Sequence, residues 1–329
     1  METKDMSRPQ GPGQDPAGPA APVSRRALNV VLVHGGWHCG ASWGPVVPAL
    51  MARGHHVVTP DLPGHGWQAR YPAGYFDTGQ PGLATQPASL GNTTLAMAAD
   101  AMIEVLSTVR AADDGRRPAV LVSHSSSGSI ASLAAEEAPE LIDHLVYVAA
   151  IVPSRLTSAL GYAALPEYGS QTMDGLVVGD PAATGALRIN PRSADPRYRD
   201  LLHRKFYGDM PRAASAAFME LLCPDQPLGF LADPVSVTQA RWGMIPRTYV
   251  MTTKDSAIAP AVQEIMMNDA DDLTPQNRFR RISIDTGHSP FASQPEALAD
   301  IITAGWISPS TPRNSSTEPG PPHSRAGRP

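Results

Sequence analysis

Short apolar runs, rich in Val and without polar alternation, recur at residues 28–33, 57–59, 119–122, 145–151, 248–252 and 281–284. Strands of that kind are buried on both faces, as in a parallel sheet covered by helices on each side. The stretches between them carry helical spacing. Residues 42–53 stop at Gly54, residues 95–109 put Leu95, Ala98, Met102, Val105 and Leu106 on one face, and residues 126–138 end before Pro139. Strand and helix therefore alternate, and the expected fold class is α/β with a mostly parallel, doubly wound sheet.

Two segments interrupt the alternation. Residues 67–92 form a long loop rich in Gly, Pro and aromatics after Asp61-Leu62-Pro63-Gly64-His65-Gly66, and loops of that length are commonly lids or mobile insertions. Its Trp67, Tyr71, Tyr75 and Phe76 either close over a bound apolar group or pack into the core. Residues 154–243 carry helical patches at 197–207 and 212–222 but no clear strand, so a helical cap is expected at 154–244, inserted in a sheet domain formed by 27–153 and 245–307. Residues 1–26 and 308–329, rich in Pro, Gly, Ser and Ala, are expected to be disordered tails.

With 329 residues, 42% of them hydrophobic, the chain can bury a sizeable core. A net charge of −5 without a Lys/Arg-rich cluster argues against a nucleic-acid partner. No apolar run approaches the roughly 18 residues that span a bilayer, and the N-terminus lacks the apolar core of a signal peptide. Cys39 and Cys223 form no C-x-x-C pair, so neither a disulfide framework nor a zinc site is indicated. The expectation is a cytoplasmic protein, without membrane partner, metal or cofactor, that acts on a small molecule.

The strongest chemical signal is Ala119-Val120-Leu121-Val122-Ser123-His124-Ser125-Ser126-Ser127-Gly128, an apolar strand running into a small-residue helix start. It has the layout of G-x-S-x-G, whose sharp turn lifts a serine Oγ clear of the sheet. Ser123 and Ser127 replace both glycines, and serine is nearly small enough. Ser125 is the favoured nucleophile; a register centred on Ser126 would place bulky His124 at the crowded position. Taken alone, the segment also reads as a serine-rich helix cap without chemistry.

A serine nucleophile needs a base, and the base needs an orienting carboxylate, on this topology in the order Ser, Asp or Glu, His. The strand at 248–252 ends in Lys254-Asp255 and the strand at 281–284 in Asp285-Thr286-Gly287-His288, which supplies that order. Asp285 is the rival carboxylate, but it precedes His288 by only three residues and suits a solvated or turn-capping role. Val31-Leu32-Val33-His34-Gly35-Gly36 is a strand followed by two glycines, so the Gly36 and Ser126 N–H groups form a candidate oxyanion pair.

At these residues the chain resembles the α/β-hydrolase superfamily, in particular small capped enzymes such as plant methylesterases, hydroxynitrile lyases and bacterial esterases. The resemblance rests on residues 31–66, 121–153, 245–266 and 287–299. It implies Ser125 as nucleophile, Asp255 as orienting acid, His288 as base, an oxyanion hole at Gly36 and Ser126, and Trp37 and His38 lining the substrate pocket. The implied activity is hydrolysis of a carboxylic ester of a small to medium apolar substrate through an acyl-enzyme. Lyase, cyclase or C–C bond-forming use of the same triad is a second reading, and a non-catalytic ligand-binding protein a third. Plant hydroxynitrile lyases carry a lysine after the catalytic histidine and a threonine in the oxyanion loop, where this chain has Ser289 and Gly35. Dehalogenases and most epoxide hydrolases use an aspartate where Ser125 stands.

Overall fold

The computed structural model describes residues 26–169 and 173–304. The expected tails, Arg26 apart, lie outside the described residues. The chain runs β1 (Asn29–Val33), α1 (Val46–Ala52), β2 (His56–Val58), α2 (Leu95–Ala111), β3 (Ala119–His124), α3 (Ser127–Glu137) and β4 (His144–Val148). An insert follows with α4 (Ala159–Ala163), α5 (Pro181–Thr184), β5 (Ala186–Arg188), α6 (Pro196–Tyr207), α7 (Arg212–Glu220), β6 (Asp225–Pro227) and α8 (Gly229–Ala232). The chain then returns through β7 (Arg247–Thr252), α9 (Pro260–Leu273), β8 (Arg280–Ile284), α10 (Pro290–Ser293) and α11 (Pro295–Thr303).

Six strands form one parallel sheet in the order β2-β1-β3-β4-β7-β8. Register sets Val31 beside Leu121 and Leu121 beside Leu145, so every second residue of the central strands faces the same way. On that face Val31, Leu121, Leu145, Tyr147 and Tyr249 pack with Met102 and Leu106 of α2, Ile130 of α3 and Met266 of α9. The alternate residues Val30, Leu32, Val120, Val122 and Val146 are equally buried on the opposite face, which explains the uninterrupted apolar runs. Helices α1 and α11 pack on each other, and Arg53 binds Asp300 at 2.8 Å and Glu296 at 3.0 Å across their junction.

Local chemistry fixes the element ends. The Thr94 side chain accepts the Met97 N–H at the start of α2, and Asp195 accepts the Arg197 N–H ahead of Pro196 at the start of α6. The strand expected to reach residue 151 stops at Val148, because Ala149 turns to a positive φ of 44°. The helix expected at 42–53 divides into a short 3₁₀ turn and α1. The insert differs from the strandless cap expected: β5 and β6 pair antiparallel, Leu187 opposite Gln226. Three-residue strands are too short to show a sequence period. Among the described residues no helix is long and apolar enough to cross a membrane.

Strand order reverses at β1, whose chain neighbours lie on opposite sides of it. Open parallel sheets bind ligands outside the carboxyl ends of the strands at such a point. Gly36 follows β1, Ser125 follows β3, Asp255 follows β7 and His288 follows β8.

Candidate active site

Ser125 occupies a left-handed turn, φ 57°, between β3 and α3. That conformation disfavours side chains and marks strain held by its surroundings. Here the Ser125 carbonyl accepts the N–H of Ile151 at 2.9 Å and of Gly128 at 3.2 Å, while its own N–H donates to Val148. The serines at the flanking glycine positions fit. Ser127 Oγ accepts the His124 N–H at 3.0 Å and lies 2.8 Å from the His124 carbonyl, so its hydroxyl braces the turn. The need for a bare Cα falls one residue later: a Cβ on Gly128 would collide with the Ile151 carbonyl.

His288 Nε2 lies 3.0 Å from Ser125 Oγ, and His288 Nδ1 lies 2.8 and 3.1 Å from the two oxygens of Asp255. The carboxylate can only accept, so the proton sits on Nδ1 and Nε2 is left to accept from the serine hydroxyl. Asp255 is itself fixed. Its Oδ1 accepts the N–H groups of Ala257 and Ile258, and its Oδ2 accepts from Thr252 Oγ1 and Gln263 Nε2. Asp285 goes elsewhere: it pairs with Lys254 at 2.8 Å on the surface, and that hydrogen bond holds its carboxyl below the usual range.

The Gly36 and Ser126 N–H groups donate to no other described residue, and the Ser126 hydroxyl packs against the open face of Gly36. Ser126 also caps α3, whose positive end favours developing negative charge beside it. Around them is a cluster of buried histidines. Burial pushes His38 down to about 3, and holds His34 and His124 well below their ordinary range, so all three stay neutral at working pH. His124 Nε2 lies 2.8 Å from the His288 carbonyl and supports that loop.

A cavity of about 200 Å³ opens above Ser125, lined by Trp37, Ser126 and His288 together with Ile151, Ala159, Leu160, Tyr168, Leu187, Phe206, Leu231 and Ile258. Among the described residues no charged side chain lines it. The Trp37 indole N–H donates to the Leu187 carbonyl, and the Tyr168 hydroxyl to that of Ala257. Among the described residues the lining is otherwise mostly apolar, and the Ser125, Ser126 and His288 groups are its principal polar contacts, a surface suited to an apolar ligand.

Two expectations are corrected. His38 does not line the cavity; it is 1% exposed behind the loop, where its Nδ1 meets the Gly36 carbonyl and its Nε2 the Tyr207 hydroxyl. The loop at 67–92 does not cover the cavity either. Tyr71, Tyr75 and Phe76 stack on one another, and Trp67 is 97% exposed. The cover comes from the insert. The end of α6 and the turn after it reach three of the site's four loops: Lys205 Nζ donates to the Ser256 carbonyl, Tyr207 to His38, and Asp209 accepts from Thr286 Oγ1. These residues, like Gln226, carry no sequence signal, since their partners lie far along the chain.

Among known proteins similar to the chain is a pyrethroid hydrolase of Sphingobium wenxiniae, 24% identical over 294 residues that cover 89% of this chain and 92% of that protein. A putative chloroplastic methylesterase 14 of Arabidopsis thaliana is 28% identical over 286 residues, 83% of this chain and 70% of that protein. The crystal structure of a pyrethroid hydrolase from Sphingobium faniae superposes with a TM-score of 0.64 at 23% identity, over 86% of this chain and 98% of the other. A family model described as "Alpha/beta hydrolase family" matches residues 30–301. That span takes in all four strand ends around the cavity: the chain belongs to the alpha/beta hydrolase family.

Proposed function

We propose that the chain is a serine carboxylic ester hydrolase for a neutral, largely apolar ester. The observation that carries this reading is the continuous line from Ser125 Oγ through His288 to Asp255 at an apolar cavity, with the Gly36 and Ser126 N–H groups unengaged by other described residues. The names of the relatives, a pyrethroid hydrolase and methylesterases, support an ester as substrate.

In the first half-reaction His288 Nε2 takes the Ser125 proton as Oγ bonds to the ester carbonyl carbon. The carbonyl oxygen gains the negative charge and is held by the Gly36 and Ser126 N–H groups, a contribution of about 2.7 to 4 kcal/mol for one such donor. Collapse expels the alkoxide, which leaves as the alcohol with the proton from His288. Water then repeats the sequence on the acyl-enzyme, giving the acid and free Ser125. Asp255 keeps the imidazole in its tautomer and stabilises the imidazolium. A charged acyl or alcohol group would enter the cavity without a counter-ion among the described residues, at a desolvation cost of several kcal/mol, so neutral esters are the substrate class.

Hydrolysis of p-nitrophenyl and methyl esters of graded chain length tests the reading. Ser125→Ala is expected to lower kcat by roughly 10⁴-fold or more. Intact turnover in that variant removes the assignment. Labelling of Ser125 by a fluorophosphonate with no ester cleaved would point instead to non-hydrolytic use of the triad.

A further inference from the structure

Trp37 adopts φ 60°, a region that a bulky aromatic residue rarely enters. Strained backbone persists where its surroundings over-determine it, and it concentrates at functional sites. The surroundings here belong to the insert. The Trp37 N–H donates to Gln226 Oε1 at 3.1 Å, its carbonyl accepts the Cys223 N–H at 2.7 Å, and its indole N–H donates to Leu187. The preceding carbonyl, that of Gly36, accepts from His38 Nδ1 at 2.7 Å, and His38 Nε2 in turn accepts the Tyr207 hydroxyl at 2.9 Å. The peptide between Gly36 and Trp37 is thus held on its N–H side by Gln226 and on its carbonyl side by His38, which Tyr207 of the insert fixes in turn.

We propose that Gln226 is a positioning residue for the anion site: its side-chain carbonyl, with Tyr207 acting through His38, holds the Gly36–Trp37 peptide so that the Gly36 N–H faces the reacting carbonyl. Three features single out Gln226. It is 1% exposed, and its Oε1 lies 3.3 Å from where a Cβ on Gly36 would sit, so the amide packs on the donor residue itself. The Trp37 N–H fixes the amide's orientation, because that group can only donate. Gln226 Nε2 then finds no partner among the described residues. A half-satisfied buried amide is unfavourable for stability, and an apolar side chain of the same length would avoid it; what the amide supplies is an acceptor for the Trp37 N–H, an oxygen it shares with His65 Nε2 at 3.2 Å. Once released, Trp37 relaxes toward negative φ, turning the peptide and carrying Gly36 with it.

The inference rests on the hydrolase reading, and the test separates the two. In Gln226→Leu, kcat for a p-nitrophenyl ester is expected to fall roughly tenfold or more with KM within about threefold, a share of the 10²- to 10³-fold lost when such a donor is removed outright. Affinity for a trifluoromethyl ketone, whose hemiketal oxygen occupies the anion site, falls in parallel with kcat/KM. The acid limb of the pH–rate profile stays in place because the Ser125–His288–Asp255 line is untouched. Tyr207→Phe, which keeps the ring, shows the same pattern more weakly and carries the test if Gln226→Leu does not fold. Undiminished kcat and ketone affinity in a folded variant, or a displaced acid limb, overturn the proposal. If the parent cleaves no ester, only the hydrolase reading fails; the rate of fluorophosphonate labelling of Ser125 still reads the loop, slower labelling in Gln226→Leu supporting the proposal and an equal rate overturning it.

Discussion

Replacing Arg188 by Met removes one guanidinium and disconnects two parts of the protein. Arg188 is fully buried on β5, and its Nε and Nη2 bind both oxygens of Asp225 on β6, at 2.5 and 2.9 Å. Its Nη1 donates to the carbonyls of Leu83 and Gln86, at 2.5 and 2.8 Å, which anchors the long loop that follows β2. Met fills most of the space but leaves a carboxylate that is 2% exposed without its counter-ion and two carbonyls without a donor. Breaking a buried pair by removing one partner costs about 3 to 5 kcal/mol. Urea unfolding followed by tryptophan fluorescence and far-UV circular dichroism is expected to read a loss in that range. The double variant Arg188→Met with Asp225→Leu leaves no stranded charge and recovers most of the loss. A single variant within about 1 kcal/mol of the parent, or a double variant no better than the single, refutes the reasoning.

Stability is also expected to fall in mild acid. His38, held to about 3, and His144, lowered to about 4, are neutral in the folded protein, whereas unfolding lets each take up a proton below its ordinary pKa. Their contribution is complete above pH ~6.5 and is lost as pH falls below it, His38 alone losing about 2 kcal/mol by pH 5; equal urea midpoints at pH 7.5 and pH 5 contradict this. The two carboxylates near His288 separate cleanly: Asp255→Asn is expected to lower kcat by roughly 10⁴-fold. Asp285→Asn, which weakens an exposed pair with Lys254 and an exposed contact with Thr253, leaves kcat unchanged in the same ester assay.

The central strands and the residues at their ends were legible because both signals are local. β1 and β3 are Val-rich runs and β7 a short apolar one, and Ser125, Asp255 and His288 each lie within four residues of a strand end. The geometry of the insert was not legible. Gln226 and Tyr207 are ordinary polar residues until the chain brings them to a loop near residue 37, and β5 and β6 are too short to declare themselves. The resemblance implies that Trp37 and His38 both line the pocket, whereas the left-handed turn at Trp37 sends the two side chains to different surroundings. The aromatics of the long loop left a lid and core packing both open; Arg188 ties that loop to β5, Tyr75 is buried, and Tyr71, Tyr75 and Phe76 pack on one another.

The reach of α6 bears on how specificity in this protein can be altered by recombination. Lys205, Tyr207 and Asp209 span five positions and meet the loops after β7, β1 and β8, while Phe206 between them lines the cavity. Selectivity and the fastening of the catalytic loops are therefore written into the same short stretch of sequence. A chimera that trades the whole insert for another would change the cavity and unfasten the loops together. Exchanging α4 alone, which lends Ala159 and Leu160 to the cavity wall, separates the two and is the smaller unit of specificity.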